Sequence, residues 1–138
     1  MNREEIMKII PHRDDMLLLD EVYNKDGYAY GYFKIKEDAF FLRGHFPGNP
    51  IVPGVILCEI LAQSACVLLT DSLKEGELPV YTGLNNVKFR SPVKPGDTAE
   101  TECFIKKAKH PFYFAEGKVT VEGRLCVSAE FSFAVVGA

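Results

Sequence analysis

A run from Val55 to Leu69, apolar at nearly every position, constrains this chain most. Only Glu59, Gln63 and Ser64 break it, and Glu59 is its one charge. It follows Pro53-Gly54 and contains neither proline nor glycine, so it reads as a helix over roughly 54–73, closed off by Gly76 and Pro79. At about 15 residues the run falls short of the ~20 a bilayer span needs, and a mid-run carboxylate is costly in lipid. A helix apolar on nearly every face must therefore be surrounded by protein.

The rest of the chain supplies that surrounding. Ile6, Ile9 and Ile10 have helical spacing within residues 3–10, and Pro11 ends that helix. Met16 to Tyr23 is apolar and extended, and Asn24-Lys25-Asp26-Gly27 reads as a hairpin turn. Tyr28 to Ile35 alternates aromatic and small residues, as a strand does. Residues 37–53 form a structured Gly/Pro-rich loop. Four further strands are expected at 80–90, 97–108, 112–122 and 125–136, and their short separators favour antiparallel pairing. The expected fold is α+β: one long apolar helix wrapped by a curved antiparallel sheet of about six strands. Such a sheet has edges, and edges commonly pair between subunits, so a homodimer is expected.

With 138 residues and no linker or repeat, the chain reads as one domain, 1–138. A hydrophobic fraction of 47% and a net charge of −3 speak against disorder and against a strongly basic nucleic-acid binder. Cys58, Cys66, Cys103 and Cys126 form no CxxC pair, so neither a zinc site nor a disulfide framework is expected. The first residues lack the apolar segment of a secretory signal, which points to a reduced, cytoplasmic protein.

Two residues carry chemistry. His45 sits in a loop whose backbone is restricted by Gly44, Pro47, Gly48, Pro50 and Pro53, a way of holding an imidazole as a general base. Glu59 lies where burial would favour the protonated, proton-donating form. Gln63 is one helical turn further on the same face and within reach of that carboxyl. At the helix start, the first backbone N–H groups, at Gly54 and Val55, have no intrahelical partner and suit a carbonyl oxygen that gains negative charge. A base, an acid and an oxyanion donor fit removal of an α-proton beside a carbonyl, with loss of a C3 hydroxyl as water. No cofactor or metal is needed for that step.

Residues Gly44-His45-Phe46-Pro47-Gly48-Asn49-Pro50-Ile51-Val52-Pro53-Gly54-Val55, with Glu59 and Ala62-Gln63, resemble the signature of bacterial β-hydroxyacyl-[acyl-carrier-protein] dehydratases of type II fatty-acid synthesis, the FabZ-like hotdog family. Pro11-His12-Arg13 with Leu17-Leu18-Leu19-Asp20, and Val87-Lys88-Phe89-Arg90-Ser91-Pro92-Val93 with Pro95-Gly96-Asp97, resemble two further family segments. Asp14-Asp15 departs from the usual aromatic/proline pair, and Asn85-Asn86 stands where charged residues are common; neither is expected to touch the chemistry.

The resemblance implies a hotdog fold and a homodimer, assembled as a trimer of dimers. It implies a site shared across the dimer interface, with His45 of one chain as base and Glu59 of the other as acid. The amides of Gly54 and Val55 would bind the thioester carbonyl, and Gln63 and Phe46 would join the substrate site. Phe40 and Phe41 are further candidates to line the acyl chain. Glutamate rather than aspartate at 59 points to the plain dehydratase, with a bifunctional dehydratase/isomerase as the alternative and an acyl thioesterase as a more distant one. The partner is an acidic acyl carrier protein bearing a phosphopantetheine-linked acyl chain. Lys88, Arg90, Lys94, Lys106, Lys107 and Lys109 are candidates to meet it. His12 is read as structural, since no acid partner for it is evident, and His110 as a solvated turn residue.

Overall fold

A computed structural model describes residues 1–44 and 48–137, with Asp71 and Ser72 described through their backbone alone. Among the described residues, two α-helices and six strands follow one another as α1 (Arg3–Ile6), β1 (Glu21–Lys25), β2 (Tyr28–Lys34), α2 (Gly54–Cys66), β3 (Glu77–Phe89), β4 (Thr98–Lys109), β5 (Phe112–Val121) and β6 (Arg124–Gly137). The expected long helix is α2, continued by tighter 3-10 turns over Val67–Ser72. The first helix is shorter than expected. The apolar segment after it is not a strand: Asp14–Met16 makes a 3-10 turn, and strand pairing starts at Glu21.

All strand pairs are antiparallel, in the order β1-β2-β4-β5-β6-β3. Two hairpins close with two-residue turns, Asp26-Gly27 and Glu122-Gly123, in which both residues have positive φ. That is the geometry whose twist matches the flanking strands, and it favours glycine at the second position. One expectation from short separators is overturned. β3 and β4 are consecutive but do not pair; β3 lies at the far edge against β6. The segment between them carries Pro92 and Pro95, which offer no ladder donors. It is anchored elsewhere, by Val93, which is fully buried and whose carbonyl accepts from Val52 N–H at 2.8 Å.

Helix α2 lies across β2, β4, β5 and β6, with Leu57, Ile60, Leu61 and Ala65 buried against them. This is the hotdog arrangement of a central helix wrapped by a curved antiparallel sheet. The period-2 pattern of β2 shows how it is achieved. Ala29 and Gly31 face the helix, while Tyr28, Tyr30 and Tyr32 face outward and stack with Tyr23 and Phe104 at ring separations of 5.2–6.2 Å. Small residues under α2 bring backbone close to backbone. Ser64 Oγ and Thr101 Oγ1 are 2.7 Å apart, and Thr101 Oγ1 accepts from Gly31 N–H at 2.9 Å.

Gly117 on β5 is a further such point, and one closed in part by backbone. A Cβ there would lie 2.6 Å from Cys103 Cβ, 2.8 Å from the Glu102 carbonyl oxygen and 3.0 Å from Leu61 Cδ2. Backbone cannot yield as a side-chain tip can, so Gly117→Ala is expected to lower stability by about 2 kcal/mol, within the usual cost of overpacking. Urea denaturation monitored by circular dichroism reads this directly. A midpoint shared with the parent would mean that α2 is not pressed onto β5 here.

Candidate active site

Glu59 stands one and a half turns into α2. The residues on either side of it, Cys58 and Ile60, are buried, whereas the Glu59 side chain keeps 22% of its surface exposed. It is not the lone carboxylate that the sequence suggests. Its Oε1 lies 3.2 Å from Nε2 of His12 and 3.3 Å from Nε2 of Gln63. His12, read from sequence as structural for want of an acid partner, finds that partner in Glu59. The sequence signal that pointed to it was the Pro11-His12-Arg13 segment, whose role could not be placed without the tertiary contact.

Three features hold His12 and Gln63 in place. The Arg13 guanidinium donates to the carbonyls of Met7 (2.8 Å), Ile10 (2.8 Å) and His12 itself (2.7 Å), tying down the loop that carries the imidazole. Asp14, at φ 51°, opens the turn that follows. That turn delivers Met16 and Leu18 to Gln63: the Gln63 amide donates to Met16 O and its oxygen accepts from Leu18 N–H, both at 2.8 Å. Asp14 and Asp15 themselves line a different cavity from Glu59, so this departure reaches the site only through the turn it opens. Gln63 is almost fully buried, with both ends of its amide in use.

The His12, Glu59 and Gln63 side chains line a cavity of about 300 Å³. Its other walls are mainly apolar, from Ala62 and Cys66 on α2, Leu78, Val80 and Tyr81 on β3, and Phe133 on β6. The Tyr81 hydroxyl donates to the Cys58 carbonyl at 2.7 Å and its ring stacks on Phe133 at 5.5 Å, which fixes that wall. Burial raises the pKa of both Tyr81 and Cys66. The thiol of Cys103 behind them is pushed up to about 12, mainly by burial. These groups stay protonated near neutrality, so Cys66 contributes wall surface and not a nucleophile. Phe40 and Phe41, expected along the acyl chain, line a different cavity of about 400 Å³ with Arg3, Asp14 and Asp20.

At the other end, α2 begins beside an open, largely apolar cleft of about 680 Å³ whose walls include Val52, Gly54, Val55, Phe89 and Arg90. The Phe89 ring covers the position a Cβ of residue 54 would need, so a larger residue there would have to displace that ring. Pro53 O accepts from Ile56 N–H at 2.9 Å, whereas the N–H groups of Gly54 and Val55 have no backbone partner among the described residues. They are the free donors expected at a helix start. Val55 is 69% exposed and Phe89 58%. Of the lysines proposed to meet a partner, Lys106 donates to Glu130 at 2.9 Å. His45 and Phe46 lie outside the described residues. No cluster of three or more His, Cys, Asp or Glu side chains fit to hold a metal occurs among the described residues. His110 is exposed, with Nδ1 2.9 Å from the Tyr113 hydroxyl.

The FabA-like domain family matches residues 10–130. A 3-hydroxyacyl-[acyl-carrier-protein] dehydratase FabZ of Clostridium beijerinckii is 38% identical over 140 residues, spanning 98% of this chain and 99% of that protein. The chain belongs to the FabZ dehydratases of the FabA-like family. The match takes in the His12 loop as well as α2. A dehydratase heterocomplex, ApeI:P, from Xenorhabdus doucetiae has the same fold, with a TM-score of 0.79 at 17% identity over 96% of this chain and 91% of that one. A thioesterase of Haemophilus influenzae aligns with a TM-score of 0.66 at 12% identity, over 86% of this chain and 78% of that one. Fold alone therefore does not separate dehydratase from thioesterase; the family does. Among the described residues no helix is long and apolar enough to cross a membrane.

Proposed function

We propose that this chain, as a single domain over 1–138, removes water from (3R)-3-hydroxyacyl groups carried as thioesters on acyl carrier protein, giving trans-2-enoyl thioesters in cytoplasmic fatty-acid synthesis. The observation that carries the reading is Glu59, the one carboxylate of an otherwise apolar helix, held by His12 and Gln63 at a cavity with apolar walls. In this reading His45 takes the proton from C2. The developing negative charge on the thioester oxygen is met by the N–H groups of Gly54 and Val55. Glu59 gives its proton to the C3 hydroxyl, which leaves as water as the C2–C3 double bond forms. One proton is gained at His45 and one lost at Glu59, and exchange with solvent restores both. Phe46 is one of the residues that line the acyl chain in this reading, and Gln63 serves the site by holding Glu59.

The site is proposed to be complete only in a homodimer, three of which form a hexamer. β3 is a sheet edge 13 residues long that exposes Val80, Tyr81, Leu84 and Phe89, and its first half walls the Glu59 cavity. A second copy paired along this edge would bring its own His45 loop to that cavity. The carrier protein, which is acidic, would approach the cleft at the start of α2, where Arg90 lines the wall and Lys88 and Lys94 stand nearby in the chain.

Purified protein is expected to hydrate trans-2-enoyl thioesters, followed as loss of enoyl absorbance, and to yield a 3-hydroxyacyl thioester as sole product. Free thiol released in step with that loss would favour the thioesterase reading instead. A cis-3-enoyl product would add isomerase activity.

A further inference from the structure

Glu59 meets both its polar neighbours through the same oxygen. Gln63 is the simpler of the two. Its amide oxygen accepts from Leu18 N–H and its nitrogen donates to Met16 O, which fixes the amide orientation and leaves the nitrogen facing Glu59 Oε1. An amide nitrogen only donates, so Oε1 accepts there.

His12 adds a second constraint. Its Nδ1 is buried and has no hydrogen-bond partner among the described residues. A proton on Nδ1 would strand an N–H donor away from water, whereas a proton on Nε2 places the donor 3.2 Å from Glu59 Oε1. The tautomer with Nε2–H is therefore favoured. The backbone that carries the ring is tied down by the three carbonyls that Arg13 gathers around the loop.

Two N–H donors aimed at one carboxyl oxygen make that oxygen the carbonyl-like one. The acid proton then sits on the other. We propose that His12 is a positioning residue that, together with Gln63, holds Glu59 Oε1 as an acceptor and directs the transferable proton to Oε2. The proposal rests on the reading of Glu59 as the general acid. His12 neither touches the substrate nor carries the proton in it; a ring that relayed the proton through its own titration is the competing account, and the test separates the two.

The test uses the full chain with crotonyl-coenzyme A as substrate, comparing the parent with His12→Leu, His12→Gln, Glu59→Gln and His12→Leu/Glu59→Gln, each checked for folding by circular dichroism. His12→Leu is expected to lower kcat roughly 10–100-fold, the scale of misplacing a reacting group by about an ångström, with KM within about threefold. His12→Gln keeps an N–H near the position of Nε2 but cannot titrate, and is expected within about threefold of the parent. In the Glu59→Gln background, His12→Leu should cost less than about a further twofold, because the proton it orients is gone. A His12→Leu kcat within about threefold of the parent overturns the proposal, as does an equal cost with and without Glu59. A folded His12→Gln as slow as His12→Leu also overturns it, and points to relay by the ring. Should His12→Leu fail to fold, His12→Ala takes its place, alone and in the Glu59→Gln background, and is read by the thresholds set for His12→Leu. Full activity in Glu59→Gln would overturn the reading of Glu59 itself and this proposal with it, whereas a slow Glu59→Gln beside an unimpaired His12→Leu overturns this one alone.

Discussion

Glu59→Gln is expected to slow enoyl-thioester hydration about a thousandfold, in the middle of the range for loss of a general acid. The substitution is nearly isosteric, so it separates the proton from the shape. A glutamine oxygen in the Oε1 position still accepts from His12 Nε2 and Gln63 Nε2, and the cavity walls of Ala62, Cys66 and Phe133 are untouched. Stability should therefore stay within about 1 kcal/mol of the parent, the worth of one hydrogen bond. Substrate binding, which relies on apolar walls and backbone donors, should also survive, so the loss belongs in kcat and not in KM. Activity within tenfold of the parent would remove Glu59 from the chemistry. A loss confined to KM would make it a binding group.

Mixing two inactive proteins is expected to restore activity. In the proposed dimer each site takes His45 from one chain and Glu59 from the other. A dimer of one His45→Ala chain with one Glu59→Gln chain then has one site lacking both groups and one with both intact. After random subunit exchange at equal concentrations, about a quarter of parental activity should return, since half the dimers are mixed and each has one working site of two. Against parents each slowed about a thousandfold, that is a gain of more than a hundredfold. Exchange is verified independently, by mass or by a fluorescent label on each chain. No recovery once exchange is complete would place both groups in one chain. The β3 edge would then need another explanation for its exposed Val80, Tyr81, Leu84 and Phe89.

Much of this fold could be read from the chain because its signals are local. The apolar run fixed α2 and its need for cover, and the Asp26-Gly27 and Glu122-Gly123 turns set two hairpins through backbone preferences of single residues. The alternation of aromatic and small residues marked β2 as a strand for the same reason. Gln63 was placed on the Glu59 face by helical spacing alone, and the two groups are 3.3 Å apart. Where the reading failed, the deciding contact joins distant parts of the chain. Nothing near His12 reveals an acid partner, and the separation between Met16–Leu18 and Gln63 hides the bonds that bring that loop onto α2. Phe40 and Phe41 look like acyl-chain contacts because they are aromatic and near the signature loop, but the 3-10 turn at Phe40–Leu42 sends them to another cavity.

The sequence by itself determined an apolar helix bearing one carboxylate, the strands to wrap it and the family to which such a chain belongs. These follow from periodicity, turn chemistry and an uninterrupted motif, all of which act over a few residues. The tertiary structure decided that β3 crosses to the edge beside β6 and leaves its exposed length on the side of the Glu59 cavity. It also decided that the acid is not alone. Arg13, the turn at Asp14 and the Gln63 amide together bring His12 to Glu59. That pairing depends on how buried polar groups across the whole domain find partners when α2 is covered, a requirement no short stretch of sequence can express.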